Sequence, residues 1–453
     1  MVEQIPLWML IPFVVMLLCI AILPLIPHVG EWWESNRNKL IVSCVLGAPV
    51  VVYMIVHHLT HNLIDTVFFD YVPFIILLLS LFVITGGIHL SGDIMAKPWV
   101  NTLFLAIGFI LASIMGTTGA AMLLIRPVLA TNQQRQYKVH TVLFFIALVA
   151  NCGGLMTPLG DPPLFMLFLR GASFTWFASM WVEWLFTGAI LLLLYFLADC
   201  YYYYKKEGHK ALRADAEQIK PLKLTGCINF LWLAGVVAAV AFLNSGTIPA
   251  MGEEHAPLYL KYLREIALVA MMVLSLVTTS KKVRYEDNKY TWTPIIEVAA
   301  LFLGIFVTMA PALLYLEENA AHLGLDATWQ FYYATGLLSS FLDNTPTAVA
   351  FWSMATGLPE SLEAVASGML VHGDGIFNGT TFVASVPEIL LKAIAIGAVF
   401  FGSMTYIGNG PNFMVKAIAE ENKISMPSFF GYMIKFSLII LLPVYILVQL
   451  LFL

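Results

Sequence analysis

Gly154-Leu-Met-Thr-Pro-Leu-Gly-Asp-Pro-Pro-Leu-Phe-Met-Leu167 and Gly402-Ser-Met-Thr-Tyr-Ile-Gly-Asn-Gly-Pro-Asn-Phe-Met-Val415 align without a gap and share seven of fourteen residues. Ordinary residue frequencies give about one identity by chance. A weaker match precedes each copy: Ser113-Ile-Met-Gly-Thr-Thr-Gly-Ala-Ala121 against Ser340-Phe-Leu-Asp-Asn-Thr-Pro-Thr-Ala348, with Ser, Thr and Ala in common. All four stretches place Gly, Pro, Asn or Asp in the middle of apolar sequence. At membrane depth irregular backbone survives only when it is buried in protein or lines a cavity, so these centres belong inside a helical bundle. Each half of the chain reads as a crossing, a hairpin and a broken helix.

The rest of the chain supports a membrane setting. Its 453 residues are 60% hydrophobic and 11% charged, with mean hydropathy +0.84. A soluble protein carries roughly 25% charged residues, so a water-soluble fold is excluded. The net charge of -5 comes from 23 basic and 28 acidic residues without long blocks of either sign, so nothing indicates a nucleic-acid surface. The five cysteines show no metal-ligand spacing and read as packing residues. The first apolar run, 7-26, lacks a basic leader segment and reads as a retained crossing. No H-E-x-x-H, G-x-S-x-G or Walker A pattern is present, so hydrolase and ATP-driven chemistries lack their markers and the expectation is a non-enzyme without cofactor.

Apolar stretches measured against about 30 Å of hydrocarbon predict ten crossings near 7-26, 40-58, 71-90, 139-168, 177-203, 226-246, 259-279, 293-316, 386-412 and 428-452, with re-entrant hairpins at 99-130 and 331-356. The fold class is therefore an all-α polytopic membrane protein with two inverted-topology repeats. The expected division is scaffold helices at 1-70, a first repeat at 71-204, a cytoplasmic linker at 205-225, linking helices at 226-291 and a second repeat at 292-453. Basic residues mark cytoplasmic loops: Arg37 and Lys39, Arg126 to Lys138, Lys205 to Lys223 with Lys210 and Arg213, Lys281 to Lys289, and Lys416 with Lys423. The loops 59-70, 247-258, 317-330 and 353-386 contain neither Lys nor Arg and face outward. This arrangement sends the hairpins in from opposite sides, as in inverted-repeat transporters, whose sites lie between discontinuous helices near the midplane.

Within that frame Pro162 and Pro346 read as the first residues of half-helices, preceded by the N-cap residues Asp161 and Thr345. Half-helix ends offer N-H groups to anions and carbonyls to cations. Asn151, Thr157, Asn344, Thr405 and Asn409 add neutral oxygens suited to a hard cation. Thr117, Thr118, Thr345, Gly160 and Gly408, with Asp161 and Asp343, complete the expected ion- or substrate-binding set. Asp161, Asp343 and Glu297 are the proton-coupling candidates, because ionisable groups at membrane depth are costly and mark pathways. For the aspartates the structural alternative is a plain helix cap; for Glu297 it is dipole complementarity at a helix start. Arg126, Asp199, Lys392 and Lys435 lie near span ends and read as snorkelling groups, and Glu183 as part of an interfacial aromatic region.

Gly116-Thr-Thr-Gly-Ala-Ala-Met-Leu-Leu-Ile-Arg-Pro127, Asn151-Cys-Gly-Gly-Leu-Met-Thr-Pro-Leu-Gly-Asp-Pro-Pro163, Ser340-Phe-Leu-Asp-Asn-Thr-Pro346 and Tyr406-Ile-Gly-Asn-Gly-Pro-Asn412 together resemble the NhaD-like and citrate-transporter-like branch of the ion transporter superfamily. The resemblance spans nearly the whole chain. It implies a secondary transporter in a bacterial cytoplasmic (inner) membrane, dimerisation through a scaffold region and elevator-type motion. Dicarboxylate carriers of that superfamily have a Ser-Asn-Thr triplet in each hairpin; here those stretches read Gly116-Thr-Thr118 and Asp343-Asn-Thr345. An acidic hairpin tip opposes a multivalent anion in low dielectric but suits alternating H+ and Na+. The sequence reading is a Na+/H+ antiporter, with Na+, H+ and the lipid bilayer as partners and no resident metal. The alternative is a Na+- or H+-coupled citrate or dicarboxylate symporter.

Overall fold

The computed structural model describes residues 5-26, 28-208, 219-253 and 255-453; Lys210 and Arg213 of the linker lie outside them. The fold is mostly helical, with little sheet. Among the described residues, seven helices are long and apolar enough to cross a membrane, and Leu7–Ile22, Thr117–Thr131 and Ile228–Phe242 are shorter apolar helices. Val45, Val52, Ile55, Leu193, Leu197, Ile439 and Leu450 point out of the bundle, exposed. Apolar surface on this scale is expected against lipid rather than water.

Both hairpins form. Pro98–Met115 ends at Gly116, whose φ of 80° only glycine adopts freely, and Thr117–Thr131 runs back. The bases of the two limbs meet where Asn101 and Asn132 exchange 2.9 Å amide hydrogen bonds. Pro98–Met115 is long enough to count as a crossing by itself, yet this return makes it one limb of a hairpin. In the second hairpin, Thr328–Phe341 and Asn344–Thr356 close at their bases through Phe331 and Phe351, with ring centroids 6.2 Å apart. The broken helices also form: Val139–Leu148 is interrupted before Pro162–Leu169, and Glu388–Phe401 before Gly410–Glu421.

Pro162–Leu169 begins as the sequence predicts, at a proline preceded by Asp161. The other half-helix begins earlier than expected. Its cap is Asp343, which accepts a 2.9 Å hydrogen bond from the Thr345 amide, and Pro346 falls within the first turn. That turn tolerates proline because its N-H groups have no partners inside the helix.

Around the hairpins and breaks lies a layer of ordinary helices. Asn36–Val56 packs closely on Thr293–Asn319, because Ser43 donates to the Ala300 carbonyl at 2.9 Å, a Cβ on Gly304 would overlap Ser43, and one on Gly47 would crowd Val307. Small residues serve this purpose in membrane helix pairs. The expected crossing 71-90 stops at Thr85. Gly86 and Gly87 press against Tyr290 and Asn229, and the Asn288 and Asn229 amides take their carbonyls at 2.8 and 3.0 Å. The chain then enters strand His89–Asp93, which pairs antiparallel with Lys220–Thr225 of the linker. A three-stranded sheet, Gly375–Phe377, Thr380–Val383 and Val386–Pro387, occupies the loop after the second hairpin.

Two charge assignments are corrected. Asp199 does not snorkel: its short side chain is fully buried, 2.7 Å from Arg135, 2.8 Å from His140 and 3.1 Å from the Asn101 amide. Glu207 holds the adjoining loop by accepting from the Gln136 and Tyr137 amides. This cluster fastens the base of the first hairpin to Trp181–Tyr201. Glu183 is likewise buried, and its Oε2 has no partner among the described residues.

Candidate functional site

The two duplicated motifs adopt the same backbone. Thr157 and Thr405 have φ,ψ of -145°,159° and -137°,169°; Asp161 and Asn409 have -146°,143° and -149°,139°. Each threonine hydroxyl donates to the carbonyl of its hairpin serine, Thr157 to Ser113 and Thr405 to Ser340. Each also accepts a backbone amide two residues on, from Leu159 and Ile407. Thr157 and Thr405 therefore staple the hairpin tips to the helix breaks. Gly160 and Gly408 are glycine because a Cβ would overlap the carbonyls of Gly154 and Gly402. The Gly160 carbonyl is occupied by the Thr117 amide at 2.8 Å.

The staples bring equivalent positions of the two halves onto one carboxylate. Asp161, 1% exposed, occupies an N-cap position without capping its own helix. Its Oδ1 accepts from the Thr117 hydroxyl at 2.8 Å and the Asn409 Nδ2 at 3.2 Å, and its Oδ2 from the Asn344 Nδ2 at 2.5 Å. Thr117 and Asn344 are equivalent residues of the two hairpin tips, as Asp161 and Asn409 are of the two breaks. Asp343 stands apart as the cap of its half-helix, with its side chain on the Thr345 amide.

The asparagines are ordered by acceptors that cannot donate. Asn409 Nδ2 also faces the Ala150 carbonyl at 3.2 Å and Asn151 Oδ1 at 3.2 Å. Asn151 Nδ2 donates to the Ile146 carbonyl and to Asn412 Oδ1, at 2.8 and 2.7 Å. Asn412 in turn donates to the Gly402 and Thr405 carbonyls. Asn409 thus turns its nitrogen, not its oxygen, toward Asp161, and the Asn151 oxygen is already engaged. Of the side chains touching Asp161, Asn344 is the one with a buried oxygen, Oδ1, that no described residue meets. Asn412 is absent from the expected set, although it stands in the quoted motif; its role depends on the partner Asn151 in the other half.

Asp161, Thr117, Thr118 and Gly160 line a cavity of about 100 Å3, walled by Leu81, Phe82, Phe165, Ile295 and Val298. Among the described residues no Lys, Arg or His lines it. Glu297 is not gathered into this cluster; its carboxylate lies 2.6 Å from Lys39 Nζ. Toward the base of the second hairpin lies a larger polar cavity of about 590 Å3, with Asp65, Asp70, Glu253, Glu317, Arg170 and Trp352 in its lining. Arg170, just past the end of Pro162–Leu169, holds Asp70 at 2.6 Å and lies 5.1 Å over the Trp352 ring. The first broken helix therefore runs from the base of one hairpin to the base of the other, so the hairpins enter from opposite ends. Among the described residues no group of three or more His, Cys, Asp or Glu is arranged to hold a metal ion.

A polytopic helical bundle in which two opposed hairpins and two interrupted helices enclose a buried polar centre is the architecture of a membrane transport protein. Residues 2–453 match the family CitMHS_2, described as "Putative citrate transport", and the chain belongs to that family. It is also similar to the inner membrane protein YbiR of Escherichia coli (strain K12), with 24% identity over 320 residues, 68% of this chain and 76% of the relative. The protein is a multi-pass inner membrane transporter.

Proposed function

We propose that the protein is a secondary active Na+/H+ antiporter in which Asp161 holds either a proton or Na+. The observation that carries this reading is the convergence of donors from both halves of the chain on Asp161, a residue that itself lines a cavity with no basic side chain among the described residues. A carboxylate taken out of water is the kind of group that exchanges a proton for a small cation. Asn344 Oδ1, Thr118 and nearby carbonyls complete the cation's coordination, while Thr157, Thr405, Asn151, Gly160 and Gly408 hold the geometry. Asp343 adds negative charge beside the site in addition to capping its helix, and Glu297 serves the scaffold through Lys39. In this reading residues 71-204 and 292-453 are inverted repeats. The Asn101 and Asn132 base of the first hairpin faces the cytoplasm, and the protein works as a homodimer.

The family description favours a second reading, citrate or dicarboxylate symport coupled to Na+ or H+. Against it stands Asp161 in the lining of the cavity, since a multivalent anion beside a carboxylate in low dielectric needs a compensating cation. Everted membrane vesicles separate the two. Antiport requires Na+ to dissipate an established pH gradient with no organic anion present; a strict requirement for citrate reverses the ranking.

A further inference from the structure

We infer that the Asn344 carboxamide is the switch that makes proton and cation occupancy mutually exclusive: it turns over when Asp161 takes up a proton. The inference rests on the Na+/H+ reading above. Of the three groups that donate to Asp161, Asn409 is fixed because its nitrogen also faces the Ala150 carbonyl, an acceptor that cannot reverse. Thr117 carries both donor and acceptor on one oxygen, so rotating its hydroxyl moves no heavy atom. Asn344 is different. It is fully buried, its nitrogen is bonded to Asp161 Oδ2, and its Oδ1 has no hydrogen-bond partner among the described residues.

An unpaired buried carbonyl oxygen is costly to maintain, and beside an ionised carboxylate it is a ready cation ligand. With Asp161 ionised, all three neighbours donate to it and Asn344 Oδ1 is free to join the carboxylate in holding Na+. A proton arriving from water on the side to which the site is open binds Asp161 Oδ2, forming an O-H that must itself donate. The Asn344 N-H now opposes that hydrogen. A half-turn about the Asn344 Cβ-Cγ bond presents Oδ1 to accept the new O-H and swings the NH2 group into the place of the cation ligand. One rotation thus satisfies the proton, removes an oxygen from the cation and replaces it with the positive end of an N-H dipole. When the proton leaves to water, the amide turns back.

Difference infrared spectra of the purified full-length protein in lipid nanodiscs test this. Two experiments are compared: Na+ against choline at fixed pH, and acid against alkaline pH without Na+. The protonated-carboxyl band that disappears in Asp161→Asn and the amide carbonyl band that disappears in Asn344→Ala are expected to shift together in both. A moving carboxyl band with a static Asn344 band overturns the switch and leaves the antiport reading intact. A carboxyl band indifferent to both Na+ and pH overturns that reading, and the switch with it. If Asn344→Ala does not fold, Asn344→Ser supplies the band assignment. Na+ affinity at alkaline pH should fall at least tenfold in whichever variant folds; unchanged affinity contradicts the proposal.

Discussion

Asp161 and Asp343 look alike in the sequence, each an aspartate at the start of a half-helix, yet their side chains do different work. Asp343 accepts from the Thr345 amide and caps; Asp161 leaves its own helix uncapped and accepts from three other elements. Asp161→Asn should therefore abolish Na+-driven proton movement in vesicles while the purified protein keeps its size-exclusion profile; retained exchange would remove Asp161 from the mechanism. Asp343→Ala should lower stability by about 1 kcal/mol through loss of the cap, whereas Asp343→Asn, which can still cap, should not. Thermal unfolding of the two variants side by side checks this. The sequence marks these positions because Gly, Pro, Asn and Asp are conspicuous in apolar stretches. It does not show which amide turns its nitrogen inward: for Asn409 that is decided by the Ala150 carbonyl, from the other half of the chain.

At the level of elements, the hairpins and broken helices were legible because each combines an apolar run with a polar centre, a pattern that an unbroken crossing does not carry. What stayed hidden was the fastening at their bases. Asn101, Asn132, Arg135, His140 and Asp199 come from four separate segments, and each taken alone resembles an interfacial polar residue. The ion pair at the centre of their assembly is enclosed, with Arg135 and Asp199 side chains 1% and 0% exposed. Removing Asp199 takes away the nearer of the two carboxylates that face the buried Arg135, leaving Glu207 at 3.3 Å, so the loss falls toward the lower end of the range of about 3–5 kcal/mol that breaking a buried pair costs. Asp199→Ala should accordingly lower the unfolding midpoint far more than Lys416→Ala, which breaks a solvent-facing pair with Glu420 and a contact over the Tyr406 ring, both worth little. Equal effects in a thermal-shift assay would show that the cluster does not hold the hairpin. The early stop of the crossing at Thr85 was also illegible, because Asn229 and Asn288, which take the Gly86 and Gly87 carbonyls, lie far along the chain.

Across the whole molecule the duplicated motif and the charge of the loops pointed to two modules of opposite direction. The path of Pro162–Leu169 toward Arg170 and Trp352 agrees with that geometry. If the modules span a membrane in this way, a cysteine placed at the exposed Gln133 of the first hairpin's base should react with an impermeant maleimide only after cells are permeabilised. One at the exposed Asp326, before the second hairpin, should react in intact cells. Labelling of both from one side would remove the inverted arrangement. The central claim, that one carboxylate shared by both halves trades a proton for Na+, is tested most directly in proteoliposomes of purified protein. With no organic anion present, an imposed Na+ gradient should drive an opposite proton flux in the wild type and none in Asp161→Asn. Equal proton flux in the two proteins, or no flux until citrate is supplied, would contradict it.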